Sequence, residues 1–388
     1  MTCEIKLTGK GFQWFKRLHP WIYRDDVLLE GSSLRNGDVV KVLSPSGAFL
    51  AYAFYSDSSS IALRVISRSD TQLDKDFFAG LIKKAVRARK ELITERGACR
   101  LVNAEGDLFP GLIVDYYAGH LVMQITIAGV EKIKELLVEI LLEIFEPKSL
   151  TLRCDSSARV LENLSLYKEM VMGEEQKELL IMEGEAKYLA DLWDGHKTGA
   201  YLDQRENRGR TALLKGKRAL DAFCYQGHFS VHLASSFDEV IAVDSSAPAI
   251  QRLEENLELN NITNVKGKKE NVFDFLSVLG KQGEKFDLVI LDPPPFAKSK
   301  KNINSAMKGY RELNRKALSL LKEDGKLLTY SCSYNISPDD FLDVLRKSAG
   351  DVGRKMKIIE RQFQASDHSV ILNAPETAYL KGFLLQCY

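Results

Sequence analysis

Two residue types capable of covalent chemistry follow two apolar segments of this chain. Asp292 follows Phe286–Leu291 and precedes three prolines, and Cys332 stands in a Ser-Cys-Ser sequence after Lys326–Tyr330. Proline has a fixed φ and disfavours helical conformation in the residue before it, so Asp292 should be held rigidly at the end of a strand. Open α/β sheets bind ligands at the carboxyl ends of their strands, so a carboxylate and a thiol at this edge predict an active site.

A thiol beside a carboxylate suits methylation of a pyrimidine at C5. That carbon becomes a good nucleophile only after another nucleophile has added at C6, and a thiolate is suited to this addition. Cys332 is the candidate nucleophile, and Asp292 could hydrogen-bond the N3 and N4 edge of cytosine and stabilise the charge of the adduct. A base must afterwards remove the C5 proton, and the sequence does not identify that base.

Other interpretations of the same residues stay open. Free cysteine is often a small buried residue, so Cys332 taken alone could be structural. Cys224 is a weaker candidate for the nucleophile, because it should lie on the cofactor side. The stretch Asp292–Phe296 is also compatible with methylation of an exocyclic amine by a polar residue, two prolines and an aromatic residue, although the aromatic residue here stands one position late.

A turn with a single glycine indicates what kind of cofactor is bound. The segment from Asp221 to His228 joins a predicted strand to a predicted helix, and Gly227 is its one glycine. Dinucleotide-binding turns follow the pattern G-x-G-x-x-G, which lets the backbone approach a pyrophosphate. The turn therefore disfavours a pyrophosphate, and a smaller ligand without phosphates fits better.

Acidic residues after the next two strands suggest a nucleoside. Asp244 ends the second predicted strand and could accept hydrogen bonds from both ribose hydroxyls. The third strand is followed by Asn271, Val272, Phe273 and Asp274, where the carboxylate could receive the amine of adenine beside the two apolar side chains. Taken alone, each acid could simply end a strand or begin a helix. Because the acids follow successive strands, together they predict S-adenosylmethionine as the cofactor.

Strands and helices alternate after Trp193. The predicted strands are 218–222, 239–243, 264–268, 286–291 and 326–331, and the predicted helices are 228–235, 246–260, 271–279, 304–321 and 338–348. Alternation of this kind indicates right-handed βαβ units and a doubly wound, parallel α/β sheet. Residues 356–361 and 378–386 should complete the sheet with an antiparallel edge.

The residues before Trp193 follow different patterns. Short predicted strands at 38–43, 48–55 and 61–66 suggest a small β-barrel. A predicted helix over 76–96 carries basic residues that either contact phosphate or form a solvated face. Predicted strands at 101–104, 112–117, 121–127, 149–154 and 179–182, with a helix at 130–145, indicate an α+β insert. We therefore expect three domains, at 1–70, 71–192 and 193–388.

Composition limits the class of protein. The chain has 388 residues, 45% of them apolar and 28% charged, with a net charge of +1, as expected for a globular protein of more than one domain.

No apolar run reaches the roughly 18 residues of a membrane span, and no signal peptide is visible, so a cytoplasmic location is expected. The six cysteines show no disulfide-like spacing. His228 and His232 lack further ligands nearby in sequence, and no metal site is predicted.

Positive charge concentrates after Phe296. The basic residues are Lys298, Lys300, Lys301, Lys308, Arg311, Arg315 and Lys316, opposed by Glu312. Beside a reactive crevice they would neutralise phosphates, although a surface helix explains them too. A target base must leave its stack to reach a thiol, and single-stranded RNA is the simplest substrate.

At this point the motifs together resemble a known family. They are His19–Tyr23, Phe109–Asp115, Lys197–Arg205, Asp292–Lys300, Ser331–Ser333 and Tyr379–Phe383. The chain is similar over essentially its whole length to bacterial class I S-adenosylmethionine-dependent methyltransferases. Members of that family make 5-methylcytosine in large-subunit ribosomal RNA and carry an N-terminal PUA domain.

The resemblance implies an RNA-binding PUA domain and Cys332 as nucleophile. The cofactor contacts that it implies come from Gln204, Arg205, Asp221, Phe223, Tyr225, Gly227, Asp244, Asn271, Val272, Asp274 and Asp292. Three departures matter. Gly227-His228 replaces the usual pair of glycines, Ser369 follows Asp367-His368 where proline is usual and leaves a catalytic role for His368 in doubt, and Pro295 stands where many related RNA enzymes have a second cysteine.

The predicted activity is C5 methylation of cytosine in RNA, on 23S ribosomal RNA, through a Cys332–C6 adduct. The alternatives are methylation of an exocyclic amine or of uracil C5, or an RNA-binding assembly factor without turnover. Neither the modified nucleotide nor the choice between free and assembled RNA follows from the sequence. The oligomeric state is also left open, with a homodimer as one option.

Overall fold

The computed structural model describes residues 3–29, 34–296 and 302–388, which form two compact units. The N-terminal unit comprises Met1–Ile181, Ala190–Leu202 and Ser366–Thr377, and the C-terminal unit comprises Met182–Leu189, Asp203–Ala365 and Ala378–Tyr388. The division into three domains stays a prediction. Among the described residues, no helix combines the length and apolar character that crossing a bilayer requires.

The first 70 residues form a six-stranded sheet. Its strands are β1 (Cys3–Leu7), β2 (Trp21–Tyr23), β3 (Val27–Leu28), β4 (Val39–Leu43), β5 (Phe49–Tyr55) and β6 (Ile61–Ser67), with helix α1 (Gly9–Phe15) after β1. The strand order is β2-β6-β5-β4-β1-β3, and only β1 and β4 pair in parallel. The three predicted strands are present. Strands β1, β2 and β3 and helix α1 were missed, because segments of two to seven residues show too few periods of their side-chain pattern to be recognised.

The second part of the N-terminal unit is a five-stranded sheet with helices. The strands are β7 (Ala98–Asn103), β8 (Leu112–Tyr117), β9 (His120–Ile125), β10 (Ser149–Cys154) and β11 (Tyr167–Met172), in the order β11-β10-β9-β8-β7. The helices are α2 (Lys75–Arg87), α3 (Ala128–Glu131) and α4 (Lys134–Phe145). A hairpin of β12 (Leu179–Glu183) and β13 (Ala186–Ala190) follows, and its residues Met182–Leu189 belong to the C-terminal unit.

The predicted helix over 76–96 is wrong at its end, because α2 stops at Arg87. Asp74 caps its start by accepting a hydrogen bond from the N–H of Phe77 at 3.0 Å. Beyond the helix, the buried Arg89 makes a bidentate ion pair with Asp107 at 2.9 and 2.8 Å. Arg89 is therefore unavailable to phosphate, and the basic face of this helix is smaller than expected.

The C-terminal unit contains the doubly wound sheet. Its strands are β14 (Gly216–Ala222), β15 (Phe237–Asp244), β16 (Val265–Lys269), β17 (Phe286–Leu291), β18 (Leu321–Ser331), β19 (Met356–Gln362) and β20 (Lys381–Cys387). The order is β16-β15-β14-β17-β18-β20-β19, with β20 antiparallel to both of its neighbours. The helices are α5 (Arg205–Thr211), α6 (His228–Leu233), α7 (Ala247–Leu259), α8 (Val272–Lys281), α9 (Ile303–Ser319) and α10 (Pro338–Asp351). The predicted α/β class and alternation are confirmed, and α5 was missed.

The core of this unit fixes where the strands end. In β17, residues 288–291 are at most 1% exposed, because helices cover both faces of a parallel sheet and leave no polar side to its central strands. Leu291 and Leu327 pack in one cluster with Leu313 of α9 and Leu345 of α10. Each such side chain contributes about 1.5–3 kcal/mol when fully buried. The rim of the sheet is therefore a rigid platform for the residues that follow its strands.

Candidate active site

Asp292 and Cys332 stand at the carboxyl ends of two neighbouring parallel strands. Strands β17 and β18 pair with Leu291 opposite Thr329, so both side chains leave the sheet at the same rim. The Cys332 Sγ lies 3.7 Å from the backbone oxygen of Pro293, the residue next to Asp292. Both residues are partly exposed. The structure thus brings the two predicted catalytic residues together where a ligand can reach them.

A buried lysine forms hydrogen bonds to the loop that carries Cys332. Lys381, at the start of β20, is 4% exposed and donates to the backbone oxygens of Ser333 at 2.7 Å and Ile336 at 2.9 Å. Ser333 also contacts the buried Tyr310, with 3.0 Å between the two hydroxyl oxygens. Burial lowers the pKa of Lys381 to about 8, and the nearby charge of Cys332 opposes that shift. Sequence reasoning gave Lys381 no role, although a lysine inside an apolar strand pattern is an available signal.

The turn after β14 adopts a conformation that explains its single glycine. Phe223, Tyr225 and Gly227 all have positive φ, at 65°, 51° and 76°. A Cβ at Gly227 would lie 1.9 Å from Cδ1 of Leu253, so any other residue would displace the Leu253 side chain and would also be strained by the positive φ. The N–H of Phe223 donates to the oxygen of Val243 at 2.9 Å, which ties the turn to the neighbouring strand. The turn is compact, and helix α6 begins directly after it.

Two carboxylates flank this turn. Asp244 accepts hydrogen bonds from the N–H of Tyr225 at 3.0 Å and from the N–H of Ser246 at 2.9 Å. Asp221 is 1% exposed and accepts from the hydroxyl of Ser230 at 2.6 Å. Burial raises the pKa of Asp221 to about 6, although the Ser230 hydrogen bonds lower it. Each carboxylate oxygen of Asp244 thus accepts one hydrogen bond from the backbone. The remaining lone pairs of the two oxygens are available to hydroxyl groups.

The predicted adenine-binding segment begins helix α8. Asn271 caps the helix, because its side-chain oxygen accepts from the N–H groups of Phe273 at 3.0 Å and Asp274 at 3.3 Å. Val272 is 4% exposed and packs in the core, so its side chain is not free to cover a ring. Phe273 is partly exposed and Asp274 is exposed in the first helical turn. Of the two apolar residues, Phe273 is the one that could flank adenine.

An open cleft of about 420 Å³ lies beside Phe273. Its lining residues are Phe273, Pro295, Phe296, Ser305, Ala306 and Gly309. The Phe273 and Phe296 ring centroids are 6.1 Å apart, and Phe296 also packs on Tyr310 at 4.6 Å. Phe296 is therefore part of an aromatic cluster that connects the proline-rich strand end to α8 and α9.

Gln204 and Arg205 stand at the start of α5, which packs against α6. Gln204 is 3% exposed, and its side-chain oxygen accepts from the amide of Asn207 at 2.7 Å. Arg205 is partly exposed, with Nη2 3.6 Å from Glu206. Both residues lie in the C-terminal unit with the strand-end turn.

Several buried polar atoms in this region lack a hydrogen-bond partner among the described residues. They are Nε2 of Gln204, Oδ1 of Asp221, Oε1 of Gln226 and Nε2 of His228. Buried polar atoms are satisfied in the great majority of cases, so these donors and acceptors are candidates to contact a bound ligand. Amides and a carboxyl fit the hydroxyl and ammonium groups of a nucleoside and an amino acid, whereas a carboxylate would repel a pyrophosphate.

The two histidines of α6 take part in a buried polar cluster. His228 packs against Tyr188 in a tilted arrangement with ring centroids 4.3 Å apart, and burial lowers the pKa of His228 to about 3. His232 lies 3.5 Å from Glu183, which is paired with the buried Arg208 at 2.8 Å. Across the described ranges, no group of three or more His, Cys, Asp or Glu residues could hold a metal ion.

Asp367 and His368 belong to the N-terminal unit. Asp367 accepts from the N–H of Arg100 at 2.9 Å and lies 3.0 Å from Nδ1 of His368. Arg89 donates to the backbone oxygen of Asp367 at 2.8 Å. Both residues are at most 2% exposed, so they are part of a buried network that ties Ser366–Thr377 to β7.

The basic stretch after Phe296 is only partly described. Lys298, Lys300 and Lys301 lie outside the described residues. Arg311 is paired with Asp351 at 2.6 Å, and Lys316 is paired with Glu312 at 3.0 Å. Lys308 and Arg315 are exposed on α9. The positive charge that α9 offers to a phosphate backbone is therefore smaller than the sequence suggested.

Known families match both ends of the chain. Residues 5–68 match the model of a PUA-like domain, and residues 213–367 match the model of a methyltransferase domain. This chain is 37% and 38% identical to the proteins named ribosomal RNA large subunit methyltransferase I from Shewanella amazonensis and Aeromonas hydrophila subsp. hydrophila. In each case the alignment covers 100% of both chains.

Solved structures show the same fold over almost the full length. A putative methyltransferase complexed with SAH superposes with a TM-score of 0.87 at 24% identity, covering 99% of this chain and 100% of that one. A putative SAM-dependent methyltransferase from Streptococcus mutans superposes with a TM-score of 0.85 at 23% identity and the same coverage. The chain therefore belongs to the ribosomal RNA large subunit methyltransferase I family, with a PUA-like domain and a C-terminal class I S-adenosylmethionine-dependent methyltransferase fold.

Proposed function

We propose that this protein methylates C5 of a cytosine in 23S ribosomal RNA, with S-adenosylmethionine as methyl donor and Cys332 as nucleophile. The observation that carries the proposal is the partly exposed Cys332 thiol beside Pro293, at the strand end that also bears Asp292. The name of the full-length relatives supports ribosomal RNA of the large subunit as the substrate. The PUA-like domain would bind that RNA. A cytoplasmic location and a homodimer stay predictions.

The cofactor would be held by the residues around the turn after β14. The lone pairs of Asp244 would accept hydrogen bonds from the ribose hydroxyls, and Phe273 would flank the adenine ring with Asp274 near its amine. The orphaned atoms of Gln204 and Asp221 would bind the amino-acid end. Bound S-adenosylmethionine supplies an electrophilic methyl group.

Cys332 and Asp292 would act on the cytosine ring in turn. The Cys332 thiolate adds to C6, and the electron pair of the C5–C6 double bond makes C5 nucleophilic. Protonated Asp292 donates a hydrogen bond to N3 and accepts one from the exocyclic amine, so its proton stabilises the negative charge that develops at N3. Once C5 carries the methyl group, a base removes the C5 proton, its electron pair restores the double bond and the thiolate leaves.

A covalent trap tests the proposal directly. RNA that carries 5-fluorocytosine at the target position cannot lose a proton from C5, so the Cys332 adduct should persist and migrate as a protein–RNA band under denaturing conditions. Cys332→Ala should abolish both the band and the formation of 5-methylcytosine. Cys3→Ala is the matched control, because Cys3 is also partly exposed but belongs to β1.

Three results would contradict the proposal in different ways. Methylation that survives Cys332→Ala would favour an exocyclic amine as the target. A methylated uracil in place of cytosine would change the base but keep the nucleophile. Wild-type protein that methylates neither free ribosomal RNA nor ribosomal particles from cells lacking it would favour an assembly factor.

A further inference from the structure

Lys381 has an unusual environment for a buried cation. Lys381 is 4% exposed, and its ammonium group donates hydrogen bonds to two backbone oxygens, those of Ser333 and Ile336. Burying a charge without an opposite charge is costly. Across the described ranges, the only charged group that shifts the pKa of Lys381 is Cys332. Cys332 lies between Ser331, which is opposite Lys381 in the strand pairing, and Ser333, which accepts one of these hydrogen bonds, so an ionised Cys332 would be a nearby counter-ion.

The position of Lys381 follows from the strand register. In the antiparallel pairing of β18 and β20, Lys381 is opposite Ser331, the last residue of β18. Its ammonium group donates to the backbone oxygens at the two ends of the turn 333–336. This turn directly follows Cys332. Lys381 therefore holds the loop that carries the thiol through two hydrogen bonds. It also places a positive charge next to that loop.

We propose that Lys381 is a positioning residue that holds the Cys332 loop and stabilises the thiolate form of Cys332. This inference rests on the proposed role of Cys332 as nucleophile. When the ion pair forms, the thiol proton leaves to water and Lys381 stays protonated. No oxidant, reductant or other reactant is needed.

Two other titratable groups of the described residues lie near Cys332, and neither supplies a positive charge. Asp292, next to the Pro293 that Cys332 contacts, is an acid. Burial raises the pKa of Tyr310, so its phenol is neutral near pH 7. Of these groups, Lys381 alone can supply the positive charge that a thiolate needs.

The test measures the reactivity of Cys332 in the full-length protein without RNA or cofactor. Iodoacetamide alkylation is followed by mass spectrometry of the peptide that contains residue 332, from about pH 5.5 to 9.5. Because only the thiolate reacts, the midpoint of the rate profile reports the thiol pKa, which is about 8.5 for free cysteine. The wild-type midpoint should lie at least about one unit below that value.

Lys381→Met should move this midpoint upward by about one unit, which is a roughly tenfold lower rate at pH 7. Lys381→Arg, which keeps the charge, should restore most of the shift. A role limited to holding the loop would change the rate at the high-pH plateau, where the thiol is fully ionised, and leave the midpoint unchanged. Alkylation of Cys3 in the same samples is the internal control.

Two results would overturn the inference. One is a wild-type midpoint at or above about 8.5, which needs no variant and so does not depend on how well a variant folds. The other is an unchanged midpoint in Lys381→Met with native circular dichroism. Neither result depends on RNA methylation, so failure of this inference is distinguishable from failure of the proposed reaction.

Discussion

Buried cations in two regions of this protein, the N-terminal unit and the Cys332 loop, have different partners. In the N-terminal unit, Arg100 makes a bidentate pair with the fully buried Asp115 at 2.9 and 3.1 Å, and Arg89 makes another with Asp107. In the C-terminal unit Arg208 is paired with Glu183 in the same way, but Lys381, at the Cys332 loop, donates to two backbone carbonyls and to no carboxylate among the described residues. A permanently paired charge is a structural element, whereas a charge whose partner can gain and lose a proton can take part in chemistry.

The largest effect on stability is expected where a permanent pair is broken. Asp115→Leu would leave the guanidinium of Arg100 and the hydroxyl of Thr198, which donates to Asp115 at 2.6 Å, without their acceptor. The free energy of unfolding of the N-terminal unit should fall by about 3–5 kcal/mol. All three tryptophans, Trp14, Trp21 and Trp193, lie in this unit, so urea unfolding followed by tryptophan fluorescence reports it selectively.

The matched control for that change is the double variant Arg100→Met with Asp115→Leu. Removing both charges should recover more than half of the lost stability, because no unpaired charge stays buried. A loss below about 1 kcal/mol in the single variant would show that the pair is not the structural element described above.

A smaller effect is expected at Asp221, a buried carboxylate at the candidate cofactor site. Its pKa in the folded protein is about 6, against 3.8 for the unfolded chain, so between these pH values the folded state holds an extra proton. Wild-type stability should therefore fall as the pH rises through this window. Asp221→Asn removes the effect and should stabilise the C-terminal unit by about 1–3 kcal/mol at pH 7.5.

The measurement for Asp221 is urea unfolding followed by circular dichroism at pH 4, 6 and 7.5. The difference between wild type and Asp221→Asn should shrink as the pH falls, because the carboxyl becomes protonated in both states. Asp238→Asn, at an exposed position of β15, is the control and should change stability by less than about 0.5 kcal/mol. A difference that is the same at every pH would contradict the expectation.

The smallest effect on stability is expected at Lys381. Lys381→Met removes two hydrogen bonds but also the cost of burying an ammonium group, so the free energy of unfolding should change by less than about 1 kcal/mol. Arg100→Met, which leaves Asp115 buried without its cation, should cost about 3–5 kcal/mol. If Lys381→Met were as costly as Arg100→Met, Lys381 would be a structural residue like the arginines, and the contrast between Lys381 and the paired arginines would fail.

Much of the catalytic fold was predictable because it depends on local patterns. Strand β17 has the predicted bounds 286–291, since a continuous apolar run between polar turns is typical of a central parallel strand. The proximity of Asp292 and Cys332 followed from the same logic, because neighbouring parallel strands end at one rim. The residues of the turn after β14 were recognisable from its single glycine and its acids.

The remaining features depend on contacts between residues distant in sequence. Helix α2 ends at Arg87 and not near residue 96, and just beyond it Arg89 turns inward to pair with Asp107. The segment Ser366–Thr377 follows most of the methyltransferase domain in sequence but packs in the N-terminal unit through Asp367. Neither contact leaves a signal in a short window of residues.

The alternation of strands and helices and the strand ends that carry Asp292 and Cys332 were readable from the sequence, and the acids after successive strands predicted a nucleoside cofactor. These features depend on side-chain periodicity, proline and glycine, which act over a few neighbouring residues. The folded chain was needed to show which charges are paired, that Val272 faces the core, and that Lys381 hydrogen-bonds the Cys332 loop. The reason is physical: burial and electrostatic partners are set by the packing of whole strands, and Lys381 is opposite Ser331 only because β20 pairs antiparallel with β18.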